Sequence, residues 1–426
     1  MGGASSGGTN TGGAPSGGTT SGTGGSAMPT GGTSGAAPTG GTSGGSTPTG
    51  GSGGSAISGG SGGVGTGGAG GPSGGAPSGG SSAGGKAGAG GAMTGGTGGT
   101  GSFGSDGDIY IAPDGNDSNM GTRTSPFRTL GHAHDVVTAG KTIWMLPGTY
   151  ASDRTTTLTK SGSAGSLIVI SGTPGNRPLV DFASQPRGAN NRGIEVQGNY
   201  WQIRGIEIAN AGDNGIAISG SHNVVENVVL HDNEDTGLQI TVGASQAGDN
   251  AYGADNLILN CDSYRNFDHA TRGENADGFA AKLRIGPGNV FRGCRAYNNA
   301  DDGWDLFASN DVVTIENCWA FSNGKVDGQN PAGDGNGFKL GGAPNGTDQG
   351  GAVHQVAHNA SFENRACGFT RNNNPQVPAA SDCKVRDNPS GDYCAMSCSP
   401  QSGETMTAAQ AIAAPRNADG SLPPIQ

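Results

Sequence analysis

Residues 201–218, WQIRGIEIANAGDNGIAI, align without a gap with residues 223–240, NVVENVVLHDNEDTGLQI. In both stretches, short alternating apolar strands are closed by Asn, Asp and Gly. Similar stretches begin at residues 256, 289, 314 and 356, so the chain has a period of roughly 22 residues that we expect to lengthen at one corner only. Because one such coil cannot bury its apolar face alone, the coils must stack. The repeat therefore predicts a parallel β-solenoid.

Two columns of residues recur in step with this period. The first is a glycine followed by an apolar residue, and its glycines are Gly215, Gly237, Gly278, Gly303, Gly337 and Gly368. The second is an asparagine at a turn, where Asn tolerates a left-handed backbone and its amide can pair with the amide of the next coil. Its members are Asn233, Asn266, Asn299, Asn323 and Asn364. Together the columns predict an all-β fold, a single-stranded parallel β-helix, which we expect to be right-handed.

The composition divides the chain into three regions. Glycine provides 87 of the 426 residues, nearly three times the usual ~7%, and it is densest in residues 1–105, which are rich in Gly, Ser and Thr. Ordering this stretch would cost backbone entropy that no burial offsets, so we predict a disordered tether. Residues 106–378 are predicted to form the β-helix, with a short capping helix within 126–138. Residues 379–426 are predicted to be an irregular, cysteine-containing tail.

Charge and hydropathy exclude several kinds of partner. The formal net charge of −11 argues against a nucleic-acid partner. The sequence contains no run of about 18 apolar residues, so no membrane span is predicted. Met1 is followed by glycines rather than by a basic and apolar leader, and we expect an export signal upstream of this start. The expectation is a secreted or surface-tethered monomer.

The seven cysteines all lie after residue 260. They form no Cys-x-x-Cys pair, which argues against a zinc or thioredoxin-type site. The cysteines near the C-terminus are predicted to form disulfides in an oxidising compartment, with three pairings possible; they are Cys367, Cys383, Cys394 and Cys398. The cysteines within the repeat are predicted to be small buried apolar residues; they are Cys261, Cys294 and Cys318.

Acidic groups gather on the outer side of the strands that follow the column glycines. By the period of two, the second residue after each glycine points to solvent, which places Asp305 and Lys339 on one face of adjacent coils. Asp277 and Asp302 precede their glycines and stack in the same way, and Asp301 adjoins them. Packed carboxylates raise one another's pKa unless a cation neutralises them, and an all-carboxylate site suits Ca²⁺ better than Zn²⁺ or Mg²⁺. These four aspartates are therefore predicted to bind Ca²⁺.

Other charged groups on these turns are expected to be solvated. Asp213 and Asp235 are predicted to face water, as acidic residues at turns usually do. Lys339 differs from a solvated lysine because it stacks on a predicted metal ligand. An amine beside a divalent cation is shifted toward its neutral form, which can act as a base.

Three segments of the repeat resemble a known family. ENADGFAAKL (274–283), NNADDGWDLF (298–307) and GDGNGFKLGG (333–342), in this order, are similar to segments of the pectate lyases of polysaccharide lyase family 9. The resemblance implies one primary Ca²⁺ held by four aspartates and a lysine that acts as the Brønsted base. Carried over position by position, the ligands are the four aspartates named above and the base is Lys339. The family generally continues with further coils beyond the glycine column, whereas here no clear final coil is predicted.

The resemblance also implies β-elimination on polygalacturonate or pectin. A uronate carboxylate bound to Ca²⁺ has a more acidic C5 proton, which Lys339 would abstract. The C4 oxygen would then leave and produce a 4,5-unsaturated end. Lys282 and Arg272 are predicted to contact neighbouring uronates, since arginine suits a bidentate carboxylate contact.

Two other functions are compatible with a β-helix. A hydrolase of polygalacturonate would need an acid and a base carboxylate flanking a water, without a metal, and its activity would survive EDTA. A surface adhesin or carbohydrate-binding solenoid would produce no unsaturated uronate at all. The lysine in GNGFKLGG and the clustered aspartates favour the lyase.

Overall fold

The computed structural model describes residues 103–241, 253–342, 351–399, 401–402 and 406–424. The predicted tether, residues 1–105, lies outside these ranges except for its last three residues.

Parallel strands in the described residues form three sheets, and the strands are numbered here in chain order. The first sheet contains β1 (Ile109–Ile111), β2 (Thr142–Met145), β5 (Ile168–Gly172), β8 (Trp201–Arg204), β11 (Val224–Glu226), β14 (Leu257–Leu259), β17 (Asn289–Arg292), β20 (Val313–Glu316), β23 (Gln355–Ala357) and β26 (Ala379–Ser381). The second sheet contains β4 (Thr156–Leu158), β7 (Ile194–Val196), β10 (Ile216–Ile218), β13 (Leu238–Ile240), β16 (Phe279–Ala281), β19 (Trp304–Asp305), β22 (Phe338–Lys339), β25 (Cys367–Thr370) and β28 (Gly391–Cys394). The third sheet contains β3 (Thr149–Ala151), β6 (Leu179–Asp181), β9 (Glu207–Ala209), β12 (Val229–His231), β15 (Asp262–Tyr264), β18 (Arg295–Tyr297), β21 (Trp319–Phe321), β24 (Ala360–Phe362), β27 (Cys383–Arg386) and β29 (Gln401–Ser402). From β2 to β28, each coil contributes one strand to each sheet, so the predicted parallel β-helix is confirmed.

The glycine column sets the register of the second sheet. The apolar residues that follow the column glycines pair from coil to coil: Ile216, Leu238, Phe279, Trp304, Phe338 and Phe369. The last four stack inside the core, with ring centroids 4.7–5.0 Å apart. Glycine is required because neighbouring coils approach closely. A Cβ on Gly278 would lie 2.5 Å from the Cβ of Ala296 and 2.8 Å from the carbonyl oxygen of Gly303.

The asparagine column forms a buried ladder at the turn from the third sheet to the second. Each side-chain amide donates to the amide oxygen of the asparagine one coil further on, at 2.8–3.0 Å. The backbone N–H of each residue donates to the same oxygen. The ladder consists of the five predicted asparagines and of Asn388, which the sequence did not suggest.

Insertions occur at two corners, so the prediction of a single variable corner was wrong. Segments 265–278 and 322–337 lengthen the connection from the third sheet to the second, and 340–354 lengthens the connection from the second sheet to the first. From β8 to β24, each turn from the first sheet to the third contains two residues. The first residue adopts a left-handed backbone, as at Gly205 (φ 62°), and the second residue points into the core. Three of these inward residues are the repeat cysteines, which are free and fully buried as predicted.

A short helix covers the N-terminal end of the core. Helix α1 (Leu130–Val136) lies within the predicted segment 126–138, and the hydroxyl of Thr129 caps it by accepting the N–H of His132 at 3.1 Å. Leu130 and Ala133 are buried against the first coils.

Strands continue past residue 378, where the sequence predicted an irregular tail. β26, β27 and β28 form a further coil, and Tyr393 stacks on Phe369 with ring centroids 5.8 Å apart. The glycine column does not mark this coil because Asp392 precedes Tyr393. The segment contains the predicted cysteines, but its first part forms a coil of the β-helix rather than an irregular tail.

The residues after this coil fold back along the third sheet. Helix α2 (Ala408–Ala413) buries Ala411 against Trp319 and Phe321. The guanidinium groups of Arg295 and Arg416 both contact Asp262, at 2.8 and 2.5 Å. This segment therefore covers part of the outer face of the third sheet.

Two disulfides stabilise the last coils. Cys367 pairs with Cys394 and Cys383 with Cys398, which selects one of the three possible pairings. In the part of the chain that the structure describes, neither helix is long or apolar enough to cross a membrane.

Candidate active site and metal centre

The outer face of the second sheet brings together residues from three coils. β16, β19 and β22 pair in register, and Asp305 lies directly beside Lys339. Asp277 precedes β16, and Asp301 and Asp302 precede β19 one coil further on. Counting residues from the column glycines therefore predicted the backbone arrangement of these residues correctly.

Three carboxylates converge at this point. One oxygen from each of Asp277, Asp301 and Asp302 lies within 4.8 Å of the other two. Asp277 and Asp302 are fully buried, and Asp301 and Asp305 are only 3% and 4% exposed. The sequence predicted that Asp305 points to solvent, but its side chain is buried beside Lys282, whose Nζ lies 3.3 Å from its Oδ2. Segment 322–337 contacts the neighbouring Asp301, since the N–H of Asp334 donates to Oδ1 of Asp301.

Lys339 lies at the edge of this group. Its Nζ is 3.2 Å from Oδ2 of Asp302 and 3.9 Å from Oδ1 of Asp305, and its side chain is 11% exposed. A further carboxylate, Asp334, contacts the same Nζ at 3.2 Å and has a side chain that is 61% exposed. The ammonium group therefore lies between two buried carboxylates and one that reaches solvent.

Sequence reasoning missed Asp334. This residue lies within GDGNGFKLGG, but it belongs to no column because an insertion precedes β22. Its spacing from Lys339 in a glycine-rich segment was the available signal, and only the folded path of segment 322–337 shows that the two side chains meet.

Lys282 lies deeper than the sequence predicted. Its Nζ donates to Oδ2 of Asp277 at 2.8 Å and to Oδ2 of Asp305 at 3.3 Å. The residue is 9% exposed, although a side chain that contacts a uronate was expected to reach solvent. The structure thus places this predicted substrate contact among the carboxylates.

Burial and mutual repulsion shift the carboxylates toward protonation. Burial raises the pKa of Asp277 to about 6, with Lys282 opposing the shift and Asp305 adding to it. Burial likewise raises the pKa of Asp302 to about 7, against the effect of Lys339. The pKa of Asp301 is raised by burial and by both neighbouring aspartates. A cation is the simplest means of keeping all these groups ionised near neutral pH.

The pKa values of the two lysines are also raised, which favours their charged form. Burial by itself lowers the pKa of Lys339, but the carboxylates of Asp302 and Asp305 outweigh burial and raise it above its usual value. The pKa of Lys282 is raised in the same way, by Asp277 and Asp305 against the effect of burial. Both lysines therefore carry a positive charge in the metal-free protein.

The side chain of Arg272 contacts a neighbouring segment rather than the carboxylates. The residue is exposed on segment 265–278, and its Nη2 donates to the carbonyl oxygen of Asn330 at 3.2 Å. It thus ties segment 265–278 to segment 322–337, the two segments that flank the carboxylates.

Asp213 and Asp235 do not simply face water. The Asp213 side chain is 12% exposed, accepts the N–H of Asn190 at 2.8 Å and lies 3.7 Å from Arg192. Burial raises the pKa of Asp235 to about 6, with Lys282 opposing the shift. The sequence prediction did not include segment 190–192, whose Asn190 and Arg192 contact Asp213.

The donor set fits a hard divalent cation. The converging atoms are carboxylate oxygens, the ligands that Ca²⁺ prefers. Oδ2 of Asp302 is buried and accepts no hydrogen bond of normal geometry, although the Lys339 ammonium lies 3.2 Å away. Four carboxylates face two ammonium groups, so negative charge exceeds positive charge within the buried group.

The chain is similar in sequence to several pectate lyases. The chain is 43% identical over 277 residues to pectate lyase L of Paenibacillus polymyxa (strain SC2), covering 63% of this chain and 60% of that protein. It is 40% identical over 277 residues to pectate lyase L of Dickeya dadantii (strain 3937), covering 62% and 61%. The matched part of the chain thus spans about three fifths of the length of these relatives.

A solved structure and a family description agree with this relationship. The crystal structure of pectate lyase Pel9A superimposes with a TM-score of 0.63 at 33% identity, covering 74% of this chain and 86% of that one. Residues 109–404 match the family described as the Pel9A-like, right handed beta helix region. Both agree with the resemblance noted in the sequence and with the predicted hand of the helix. The chain therefore belongs to the Pel9A-like family of right-handed β-helix proteins.

Proposed function

We propose that this protein is a calcium-dependent pectate lyase that cleaves polygalacturonate by β-elimination. The observation that carries the proposal is the contact between Lys339 and a buried group of carboxylates on adjacent coils, with Nζ 3.2 Å from Asp302. The relatives of this chain include pectate lyases. The proposed calcium ligands are Asp277, Asp301, Asp302 and Asp305.

Each residue has a distinct role in the proposed reaction. Calcium, when bound, would neutralise the uronate carboxylate and so acidify the proton on C5. Lys339 accepts that proton as the C5–H bond breaks. The electron pair forms the C4–C5 double bond, the C4–O bond breaks, and the departing oxygen takes a proton from solvent. Arg272, exposed on segment 265–278, is proposed to contact the carboxylate of a neighbouring uronate.

The electrostatics explain why this base would need the metal. Without it, the carboxylates of Asp302 and Asp305 hold Lys339 in its charged form, which cannot accept a proton. Once these carboxylates are neutralised, their effect on the pKa of Lys339 disappears. The burial of the amine remains and lowers that pKa toward the range of a working base.

The proposed location is outside the cell or at its surface. The two disulfides of the last coils support an oxidising compartment, since such bonds persist there and are rare in the cytosol. Polygalacturonate is a polymer that an enzyme must meet outside the cell, which agrees with this location.

The test follows the ultraviolet absorbance of the 4,5-unsaturated product. Protein, polygalacturonate and Ca²⁺ should produce a rising absorbance, and Lys339→Ala should lower the rate by about 10³-fold, the range expected for loss of a general base. Calorimetry should show that Lys339→Ala still binds Ca²⁺, while Lys141→Ala, altered at a lysine of the first coil, should keep full activity. Reducing ends formed in EDTA without new absorbance would instead identify a hydrolase. Binding of the polymer without cleavage would identify a carbohydrate-binding solenoid.

A further inference from the structure

Lys282 has no assigned part in the proposed reaction, yet it is held inside the carboxylate group. We propose that Lys282 is a resident counter-cation that holds Asp277 and Asp305 in place when calcium is absent and limits the affinity of the site for calcium. This inference rests on the proposed calcium site.

The contacts of Lys282 are those of an internal ion pair rather than of a surface group. Its Nζ touches one oxygen of Asp277, at 2.8 Å, and one oxygen of Asp305, at 3.3 Å. The same oxygen of Asp277 accepts the hydroxyl of Thr236 at 3.1 Å. The Lys282 side chain is 11% exposed, so little of it is available to a polymer in solution.

Lys282 accounts for the position of Asp305. The oxygens that converge within 4.8 Å belong to Asp277, Asp301 and Asp302, and Asp305 is not among them. Oδ2 of Asp305 faces Lys282, while its Oδ1 accepts the N–H of Phe307 at 2.9 Å. To join the other three as a metal ligand, Asp305 would have to share its oxygens with Lys282 or release it.

The charge of Lys282 has opposite consequences in the two states. Without metal, it compensates buried carboxylates that would otherwise repel one another, and so it stabilises the fold. With a divalent cation in the group, the ammonium becomes a like charge only a few ångströms away, where repulsion at low dielectric is strong. Lys282 therefore favours the empty site and opposes the occupied one.

The test compares calcium binding and stability in full-length variants. Lys282→Met removes the charge at similar size, and calorimetry after EDTA treatment should show a calcium Kd lower by about tenfold or more. The calcium-free protein should melt at a lower temperature than wild type, and calcium should raise that temperature by more. Lys282→Arg keeps the charge and should bind calcium within about threefold of wild type.

Controls separate this inference from the proposed calcium site. Lys141→Met removes one positive charge from the first coil and should leave the Kd unchanged. Wild-type protein that fails to bind calcium would refute the calcium site itself. Wild-type protein that binds calcium, with Lys282→Met binding equally or more weakly, would overturn the role of Lys282 alone.

A second variant covers the case in which Lys282→Met does not fold without calcium. Lys282→Met combined with Asp305→Asn removes one charge of each sign. Recovery of folding in EDTA by this double variant would support the charge balance proposed here. If the double variant also fails to fold, the lysine acts through its packing rather than its charge, and the proposal is wrong.

Discussion

The asparagine ladder and the carboxylate group lie in the same turns, between the third sheet and the second, yet they have opposite electrostatic character. Asn299 belongs to the ladder, and Asp301 and Asp302 follow it directly in the chain. In the ladder, each buried amide accepts from one coil and donates to the next. In the carboxylate group, buried oxygens lie within 4.8 Å of one another, and Lys282 and Lys339 are their counter-charges among the described residues.

The difference follows from the chemistry of the two side chains. An amide carries both a donor and an acceptor, so identical amides stacked at the coil spacing satisfy one another. A carboxylate only accepts, so identical carboxylates stacked at the same spacing repel. The same backbone thus turns a column of Asn into a structural element and a group of Asp into a site that needs a cation.

The largest expected effect is loss of activity in Asp301→Asn. This change removes one of the three converging carboxylates while keeping the oxygen that accepts the N–H of Asp334. The rate of unsaturated uronate formation at fixed calcium should fall by about 10³-fold, because a metal that stabilises developing charge is bound more weakly. Asp106→Asn, at an exposed aspartate outside the coils, should retain the wild-type rate. Equal rates for both variants would remove Asp301 from the proposed site.

A substitution in the asparagine ladder should lower the stability of the protein rather than its activity. Asn323→Ala removes an amide that accepts from Asn299 at 3.0 Å and donates to Asn364 at 2.9 Å. The free energy of unfolding in urea should fall by about 3 kcal/mol, since both neighbours lose a buried partner. Asn330→Ala, at an exposed asparagine, should change it by less than about 0.5 kcal/mol. A loss at Asn323 no larger than this control would show that the ladder adds little stability.

A second ladder offers a pH test. Asn223, Asn256 and Asn289 stack at the entrance to the first sheet, and two coils later His354 occupies their position and accepts the N–H of Val313 at 3.2 Å. Burial lowers the pKa of His354 to about 4. The folded state thus favours the neutral ring, and its stabilisation is complete above the ordinary pKa of about 6.5 and is lost as the pH falls toward 4.

The variant His354→Asn should reduce this acid sensitivity. Between pH 7 and pH 4, the free energy of unfolding should fall by about 3 kcal/mol more in wild type than in the variant. Comparing the two proteins cancels the titration of the carboxylates, which both retain. The same pH dependence in both would mean that His354 is not the titrating group.

The smallest expected effect uses Asp301→Asn again, now in EDTA. Because burial and neighbouring aspartates raise the pKa of Asp301, its ionised form destabilises the calcium-free fold. The free energy of unfolding of the variant at pH 7 should therefore be about 1 kcal/mol higher than that of wild type. One substitution would then lower activity and raise stability, the reverse of a ladder substitution. A loss of calcium-free stability would mean that hydrogen bonding outweighs repulsion at this position.

Sequence reasoning succeeded where residues recur once in each coil. Because strand pairing fixes the register, a residue two positions after a glycine in one coil must lie beside its equivalent in the next, which is how Asp305 and Lys339 were paired. It failed where a segment has no counterpart in neighbouring coils. Asp334 lies in such a segment, and the last coil was missed because Asp392 stands where the column would have glycine.

The order of Gly, Asn and apolar residues along the chain was sufficient to determine the β-helix, its ladder and the coils that carry the acidic residues, because these depend on local periodicity and on contacts between consecutive coils. Tertiary structure alone decided how deeply the carboxylates are buried, that Lys282 faces Asp277 and Asp305 rather than solvent, and which cysteines pair. Those features depend on contacts made by segments that do not repeat from coil to coil, such as the inserted segments and the last coil. No period in the sequence constrains such contacts, which are set by packing in three dimensions.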